Sequence, residues 1–278
     1  MEVRQLLRAY GIEPRKGLGQ NFLTEPRILA RILAAAEVKA DDQILEVGPG
    51  LGGLTRALAE KARRVVAVEL DSRLIAILRE TLADLPNVEL VPADILTVDV
   101  GKIMSGNAGI ASYKVVANLP YSITSAALRR LLESKPAPEL LVVMVQKEVA
   151  QRITASPGQM SLLAVSVQFY GRARIVTYVP AGAFYPRPKV DSAILRIETY
   201  AKPLLAVGDP ARFFALVRAG FGQRRKQLRN ALAQGLGLPA AVIEETMQRC
   251  GLDPKRRAES LSLEEWAALM NAMETAYR

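Results

Sequence analysis

The stretch ILEVGPGLGGLT, residues 44–55, sets Gly48, Gly50 and Gly53 in the spacing G-x-G-x-x-G between an apolar run and a helical pattern. Glycines at a strand-to-helix junction let the backbone turn sharply and come close to a ligand. Working outward, 43–47 reads as the strand entering the turn. Further strands follow at 64–70, 88–91, 114–118 and 139–146, with helices at 72–82 and 125–133. Near-continuous Val/Ile/Leu strands alternating with helices predict a parallel sheet covered on both faces, an α/β fold of Rossmann-like type. Residues 160–171 read as a helix, and 173–179 with 192–198 as an antiparallel pair at the sheet edge. Upstream, residues 1–36 read as helical, interrupted by KGLGQNFL at 16–23. Beyond Lys202-Pro203 the valine-rich pattern gives way to short helices with Gly and Pro breaks. A first domain over 1–201 and a small all-α C-terminal domain over 202–278 are therefore expected.

The 278 residues carry a net charge of +9, which favours a polyanionic partner such as nucleic acid. A single cysteine, Cys250, allows no internal disulfide and fits a reducing compartment. MEVRQLLRAYGI at the N-terminus lacks the continuous apolar core of a signal peptide, and no run approaches the roughly 20 apolar residues of a membrane helix. A soluble, cytoplasmic monomer without a membrane partner is expected. Histidine is absent, which excludes a Ser-His-Asp triad, a Cys-His pair and every His-ligated metal site. No metal is expected, and the chemistry falls to carboxylates, amides, backbone groups, aromatics or a cofactor.

Glu69 ends the second strand, 69 − 48 = 21 residues after the first glycine, where an acid can accept both ribose hydroxyls of a nucleoside. NAD and S-adenosylmethionine both satisfy that. Two residues favour the second. Glu46, two before Gly48, places a carboxylate near a positively charged ligand end, and Asp94, after the third strand, can meet an adenine amino group.

ANLPYS at 117–122 closes the strand 114–118 with an amide, a rigid Leu-Pro backbone and an aromatic ring. It resembles the N/D-P-P-Y/F motif of amino-directed, S-adenosylmethionine-dependent methyltransferases, with Leu119 replacing the first proline. Together with GLGQNFL (17–23), VELD (68–71), FYPRPKVDSA (184–193) and FGQRRKQLRNAL (221–232), it makes nearly the whole chain resemble the KsgA family. These are small-subunit ribosomal RNA adenine dimethyltransferases, with mitochondrial transcription factor B and Erm relatives. The resemblance implies a seven-stranded class I methyltransferase sheet followed by a small helical domain, with S-adenosylmethionine as methyl donor. It implies dimethylation of two adjacent adenosines near the 3′ end of 16S ribosomal RNA, on that RNA or on the pre-30S particle. It also implies that Asn21, Leu23, Gly48, Gly50, Glu69, Asp94 and Asn118 line the cofactor.

The exocyclic amine of adenine is a poor nucleophile because its lone pair is delocalised into the ring. On this resemblance, the Asn118 side-chain oxygen and the backbone carbonyl of Leu119 or Pro120 would accept hydrogen bonds from the amine and aim the lone pair. Pro120 stiffens the backbone, Tyr121 stacks on the base and Phe184 closes its other face. Arg224, Arg225, Lys226 and Arg229, a basic run without an acid, suit an RNA phosphate backbone. On a helix Arg225 and Arg229 would share a face, and Lys255, Arg256 and Arg257 would continue the patch. The competing functions are an Erm-type enzyme acting on large-subunit RNA and a non-catalytic assembly or transcription factor. A nicotinamide oxidoreductase would leave the NLPY stretch unexplained.

Overall fold

The computed structural model describes residues 3–105, 112–201, 205, 207–223 and 225–276. The first part of the chain runs α1 (Val3–Ala9), β1 (Phe22–Leu23), α2 (Pro26–Ala36), β2 (Gln43–Val47), α3 (Gly53–Ala59), β3 (Arg64–Glu69) and α4 (Ser72–Thr81). It continues β4 (Val88–Pro92), α5 (Val100–Ser105), β5 (Lys114–Asn118), α6 (Thr124–Leu132), β6 (Leu140–Gln146) and α7 (Lys147–Ile153). Next come α8 (Leu162–Gln168), β7 (Gly171–Val179), β8 (Phe184–Tyr185) and β9 (Ser192–Thr199). Four helices close the chain: α9 (Pro210–Phe221), α10 (Leu228–Leu236), α11 (Ala240–Arg249) and α12 (Leu263–Ala276).

Seven strands form one sheet in the order β4-β3-β2-β5-β6-β9-β7. The pairs β2–β3, β3–β4, β2–β5 and β5–β6 are parallel, as their doubly apolar sequences require, and β9 runs antiparallel to β6. Val65–Val68 and Leu141–Val145 are almost solvent-free because helices cover both faces. Against the sheet, α2 presents Ile28, Ile32, Ala35 and Ala36, one helical stripe, beginning with Pro26 in the first turn, where its missing N–H costs nothing. Asp71 caps α4 by accepting from the Arg73 amide.

Two details go beyond the sequence expectation. The pair β7 and β9 does occupy one edge, but β9 is inserted between β6 and β7, so only β7 is outermost. The QNFL and FYPRPK stretches, read as separate motifs, pair as a small antiparallel ladder, with Phe22 opposite Tyr185 and Leu23 opposite Phe184.

The chain divides into two compact units, Met1–Ala150 with Arg172–Thr199, and Gln151–Gly171 with Tyr200–Arg278. The second unit thus includes a segment that the sequence pattern assigned to the first domain. The reason lies in its aromatics. Phe169 is fully buried and stacks on Phe213 at 4.9 Å, with Phe214 edge-on at 5.1 Å, so α8 belongs to the same core as α9 and Trp266 of α12.

Candidate functional site

The strand order reverses between β2 and β5. In open α/β sheets the crevice beyond the carboxyl ends of such strands receives ligands. A cavity of about 920 Å³ opens there, within the range that holds a small-molecule ligand. Asn21, Leu23, Glu46, Gly48, Gly50, Glu69, Asp94 and the run Asn118–Tyr121 all line it.

The glycine turn brings its backbone close to neighbouring segments. Gly48 and Gly50 have φ of +67° and +61°, a region that side chains disfavour. A β-carbon on Gly50 would stand 3.1 Å from the Phe22 ring, and one on Gly48 would stand 3.7 Å from the Pro120 ring. Gly53, the third glycine of the spacing, opens α3, while Gly52 takes the third left-handed position at φ +82°.

Both oxygens of Glu69 are held by backbone donors: Oε2 accepts from the Gly50 amide at 3.3 Å and Oε1 from the Asp71 amide at 2.9 Å. Burial nevertheless raises its pKa above the ordinary carboxylate value. Asp71 is clamped in turn by Arg73, through Nη2 at 2.6 Å and Nε at 3.0 Å, and by the Gln20 side chain at 2.9 Å. Chiefly because of Arg73, its carboxyl stays well below the usual range. Asp94 does not cap a helix. Its Oδ1 accepts from the Leu96 amide at 2.9 Å, forming a tight turn at the cavity wall.

Glu46 is only 1% exposed, and its Oε2 has no hydrogen-bond partner. Burial pushes the carboxyl up to about 8; Thr55 offsets part of the rise and Glu69 adds to it. Thr55 lies near enough to act on the charge, yet its own hydroxyl is unpartnered, so no well-formed hydrogen bond joins the two. An orphaned buried acid on a cavity wall, a doubly held acid at a strand end and a close-approaching glycine turn suit a nucleoside with a cationic tail.

The NLPY segment follows β5. Asn118 Nδ2 donates to the Asn21 carbonyl at 3.1 Å. The Leu119 amide donates to Met144 at 3.2 Å while its side chain is buried in the core, so Leu119 fixes the segment by both backbone and side chain. The Pro120 carbonyl is already engaged by the Ile123 amide at 3.2 Å and the Thr124 hydroxyl at 3.1 Å. Of the two carbonyls considered from sequence, Leu119 is therefore the better placed acceptor. The Tyr121 hydroxyl shares a 2.6 Å hydrogen bond with Ser192 Oγ on β9, and burial raises its pKa.

Phe184, expected to close over the base, does not line the cavity. It is 4% exposed and packed with Ile28, Ile32, Leu54 and Val142, because its pairing in the β1–β8 ladder turns the ring into the core. The sequence also gave no role to Gln20, Asp71, Ser192 or Leu70. Leu70 is 57% exposed at the cavity beside Glu69, a placement that only the structure reveals.

In the second unit, Arg225 and Lys226 are exposed in the turn between α9 and α10, and Arg229 lies in the first turn of α10. The expected shared helix face is therefore not formed, since Gly222 and Gln227 flank a non-helical bend. Arg229 pairs with Glu244 at 2.6 Å. Arg224 lies outside the described residues. The Arg256 carbonyl accepts from the Leu228 amide at 2.7 Å, which brings the 255–257 group beside the first. Lys255 and Arg257 are exposed there, whereas Arg256 is held by Glu265.

Among the described residues no helix is long and apolar enough to cross a membrane. A family model described as ribosomal RNA adenine dimethylase matches residues 12–275. The Ribosomal RNA small subunit methyltransferase A of Dehalococcoides mccartyi (strain CBDB1) is 50% identical over 268 residues, covering 96% of this chain and 91% of that protein. The protein of the same name from Bacillus pumilus (strain SAFR-032) is 43% identical over 282 residues, covering 99% and 97%. The crystal structure of the 23S rRNA methyltransferase ErmE has a TM-score of 0.71 at 33% identity, covering 91% of this chain and 100% of that one. A dimethyladenosine transferase from Plasmodium falciparum shares the fold, with a TM-score of 0.77 at 23% identity and coverage of 91% and 98%. The seven-stranded sheet has the class I methyltransferase architecture expected from the motifs. The chain belongs to the ribosomal RNA adenine dimethylase family.

Proposed function

We propose that this protein methylates the exocyclic amines of two adjacent adenosines in small-subunit ribosomal RNA, giving dimethyladenosine during assembly of the subunit. The observation that carries this is the orientation of Asn118: its amide nitrogen is committed to Asn21, which leaves Oδ1 and the nearby Leu119 carbonyl as two acceptors at the cavity. The small-subunit relatives at 50% and 43% identity favour this target over the large-subunit one suggested by ErmE at 33%.

S-adenosylmethionine, when bound, supplies an electrophilic methyl on a positively charged sulfur. Glu69 would accept from its ribose hydroxyls, and Asp94 would accept from its adenine amine. Leu70 would pack on that adenine, and Glu46 would face the cationic end. Asn21, Leu23, Gly48 and Gly50 shape the wall. On the substrate side, Asn118 Oδ1 and the Leu119 carbonyl accept hydrogen bonds from the amine, two before the first transfer and one before the second, and turn the nitrogen lone pair away from the ring. Tyr121, anchored through Ser192, holds the base face. Alignment of this kind supplies roughly 7–11 kcal/mol of barrier reduction. No histidine is needed, because the newly methylated amine is cationic and sheds its proton to water. The protein acts in this reading as a cytoplasmic monomer, the first unit carrying the chemistry and the exposed basic residues of the second holding RNA phosphates.

The test is nucleoside mass spectrometry of unmodified small subunits incubated with protein and methyl donor, beside naked large-subunit RNA. Dimethyladenosine in the small subunit alone is expected. Its appearance only in the large-subunit RNA, or in neither, would overturn the proposal.

A further inference from the structure

Tyr178 stands near the end of the outermost strand, β7, and is 48% exposed, one of few large apolar side chains left so open among the described residues. The Lys147 ammonium lies 5.1 Å from its ring centroid, within cation–π range. This pair is joined to the candidate site by a short run of contacts. Tyr121 bonds Ser192, Ser192 pairs with Gln146 across the β6–β9 ladder, and the next amide, that of Lys147, donates to the Asp191 carbonyl at 3.0 Å.

The loop leading into β9 exposes Arg187, Lys189 and Val190. The acids nearby are Glu148, exposed in the first turn of α7, and Asp191, whose Oδ1 is taken by the Ala181 amide at 3.0 Å. The surface therefore offers an aromatic face, a cation against that face and two further exposed cations beside the loop. This is the chemistry of single-stranded RNA binding, where aromatic rings stack bases and cations follow the phosphates.

We propose that Tyr178, steadied by Lys147, is a stacking platform for the base next to the target adenosine, resting on the functional reading above and adding a second base contact to the same substrate. Presenting an adenine to the cavity breaks its stacking with the neighbouring base, and an exposed ring linked to the site through Lys147, Gln146 and Ser192 would replace that lost partner. The occupant is an unpaired RNA nucleotide, recognised by its π-face and flanking phosphate without reading of its identity.

The experiment uses the full chain and short single-stranded RNAs carrying 2-aminopurine on one or the other side of a central adenosine. Stacking quenches the fluorescence of this base. Quenching at one of the two positions is expected with the native protein and with Tyr178→Phe, and its loss with Tyr178→Ala. RNA affinity should fall about tenfold in Tyr178→Ala, and this penalty should vanish when the quenched position is made abasic. Lys147→Met should give part of the loss. Unchanged quenching in Tyr178→Ala, or an equal penalty on the abasic strand, would overturn the platform, as would docking of protein in place of RNA at this face. Because the readout is binding, failure of methyl transfer by the native chain would count against the functional reading alone.

Discussion

Asn118 Nδ2 donates to the Asn21 carbonyl at 3.1 Å, so the amide that ends β5 is oriented by a residue 97 positions earlier in the chain. The QNFL segment thereby fixes which atom of Asn118 looks into the cavity. Asn118→Ala removes one of two acceptors aimed at the amine. Methyl transfer should fall by about two to three orders of magnitude, the cost of deleting one preorganised polar group at a reacting centre. RNA affinity should stay within about twofold, because the change leaves phosphate contacts intact. Single-turnover transfer of labelled methyl, run beside filter binding, measures both, and near-native turnover would refute the assigned role.

Tyr121 and Ser192 are bonded at 2.6 Å, and Ser192 is fully buried. Tyr121→Ala should lose the stacked base, worth about 1–3 kcal/mol. Tyr121→Phe and Ser192→Ala each remove only the anchor, and each should cost a few-fold in kcat/KM. Their combination should be no worse than either alone, since the same hydrogen bond is lost once. Additive losses in that double-mutant cycle would show that the bond does not position the ring.

The sheet was legible because its strands are buried on both faces and so read as unbroken apolar runs, with glycines marking the turn after β2. The insertion of β9 between β6 and β7 was not, since strand order depends on which edges meet in space and leaves no local trace. Of the residues that line the cavity, Gly48 and Glu69 could be expected there from their spacing and Asp94 from its place after the third strand, whereas Asn118 came from the likeness of NLPY to a methyltransferase motif. The place of Phe184 could not be read. An aromatic beside Tyr185 in FYPRP has the same composition whichever ring turns inward, and only the pairing of Leu23 with Phe184 settles it. The basic run failed for a different reason. Its charges suggested a helix face, but Gly222 ends α9 and α10 begins only at Leu228, so Arg225 and Lys226 sit in the bend.

Glu46 gives the pH behaviour a sign. In the fold its carboxyl keeps a proton up to about pH 8, whereas in the unfolded chain it ionises near the ordinary value of 4.5. Between those two values the unfolded state has shed a proton that the fold retains, so this group's contribution to stability declines as pH rises and levels off above about 8. Glu46→Gln should flatten that decline, as denaturant midpoints at pH 6 and pH 9 would reveal. A cationic cofactor should reverse the preference, drawing the proton off Glu46. Binding should then release a proton below pH 8 and tighten as pH climbs toward it. Calorimetry in buffers of different ionisation enthalpy reads the released proton, and an equal dependence of the binding heat on buffer ionisation enthalpy in native and Glu46→Gln protein would exclude the linkage.

Arg225 and Arg229 lie four residues apart but should behave differently. Arg225 is exposed in the bend beside Lys226, free to meet a phosphate, whereas Arg229 is paired with Glu244 at 2.6 Å. Replacing Arg225 and Lys226 by Ala should weaken RNA binding across sequences and lower the salt slope by roughly 0.7–0.9 for each phosphate contact removed. The catalytic rate on saturating substrate should not change, since neither side chain lies in the first unit, which holds the cavity. Arg229→Ala should leave the slope nearly unaltered and cost at most about 1 kcal/mol of stability, as expected for a half-exposed ion pair. Affinity measured at several salt concentrations separates the two cases. If Arg229→Ala flattened the slope as much as the Arg225/Lys226 pair, the ion pair with Glu244 would have to open on the RNA, and the bend would lose its standing as the separate phosphate contact.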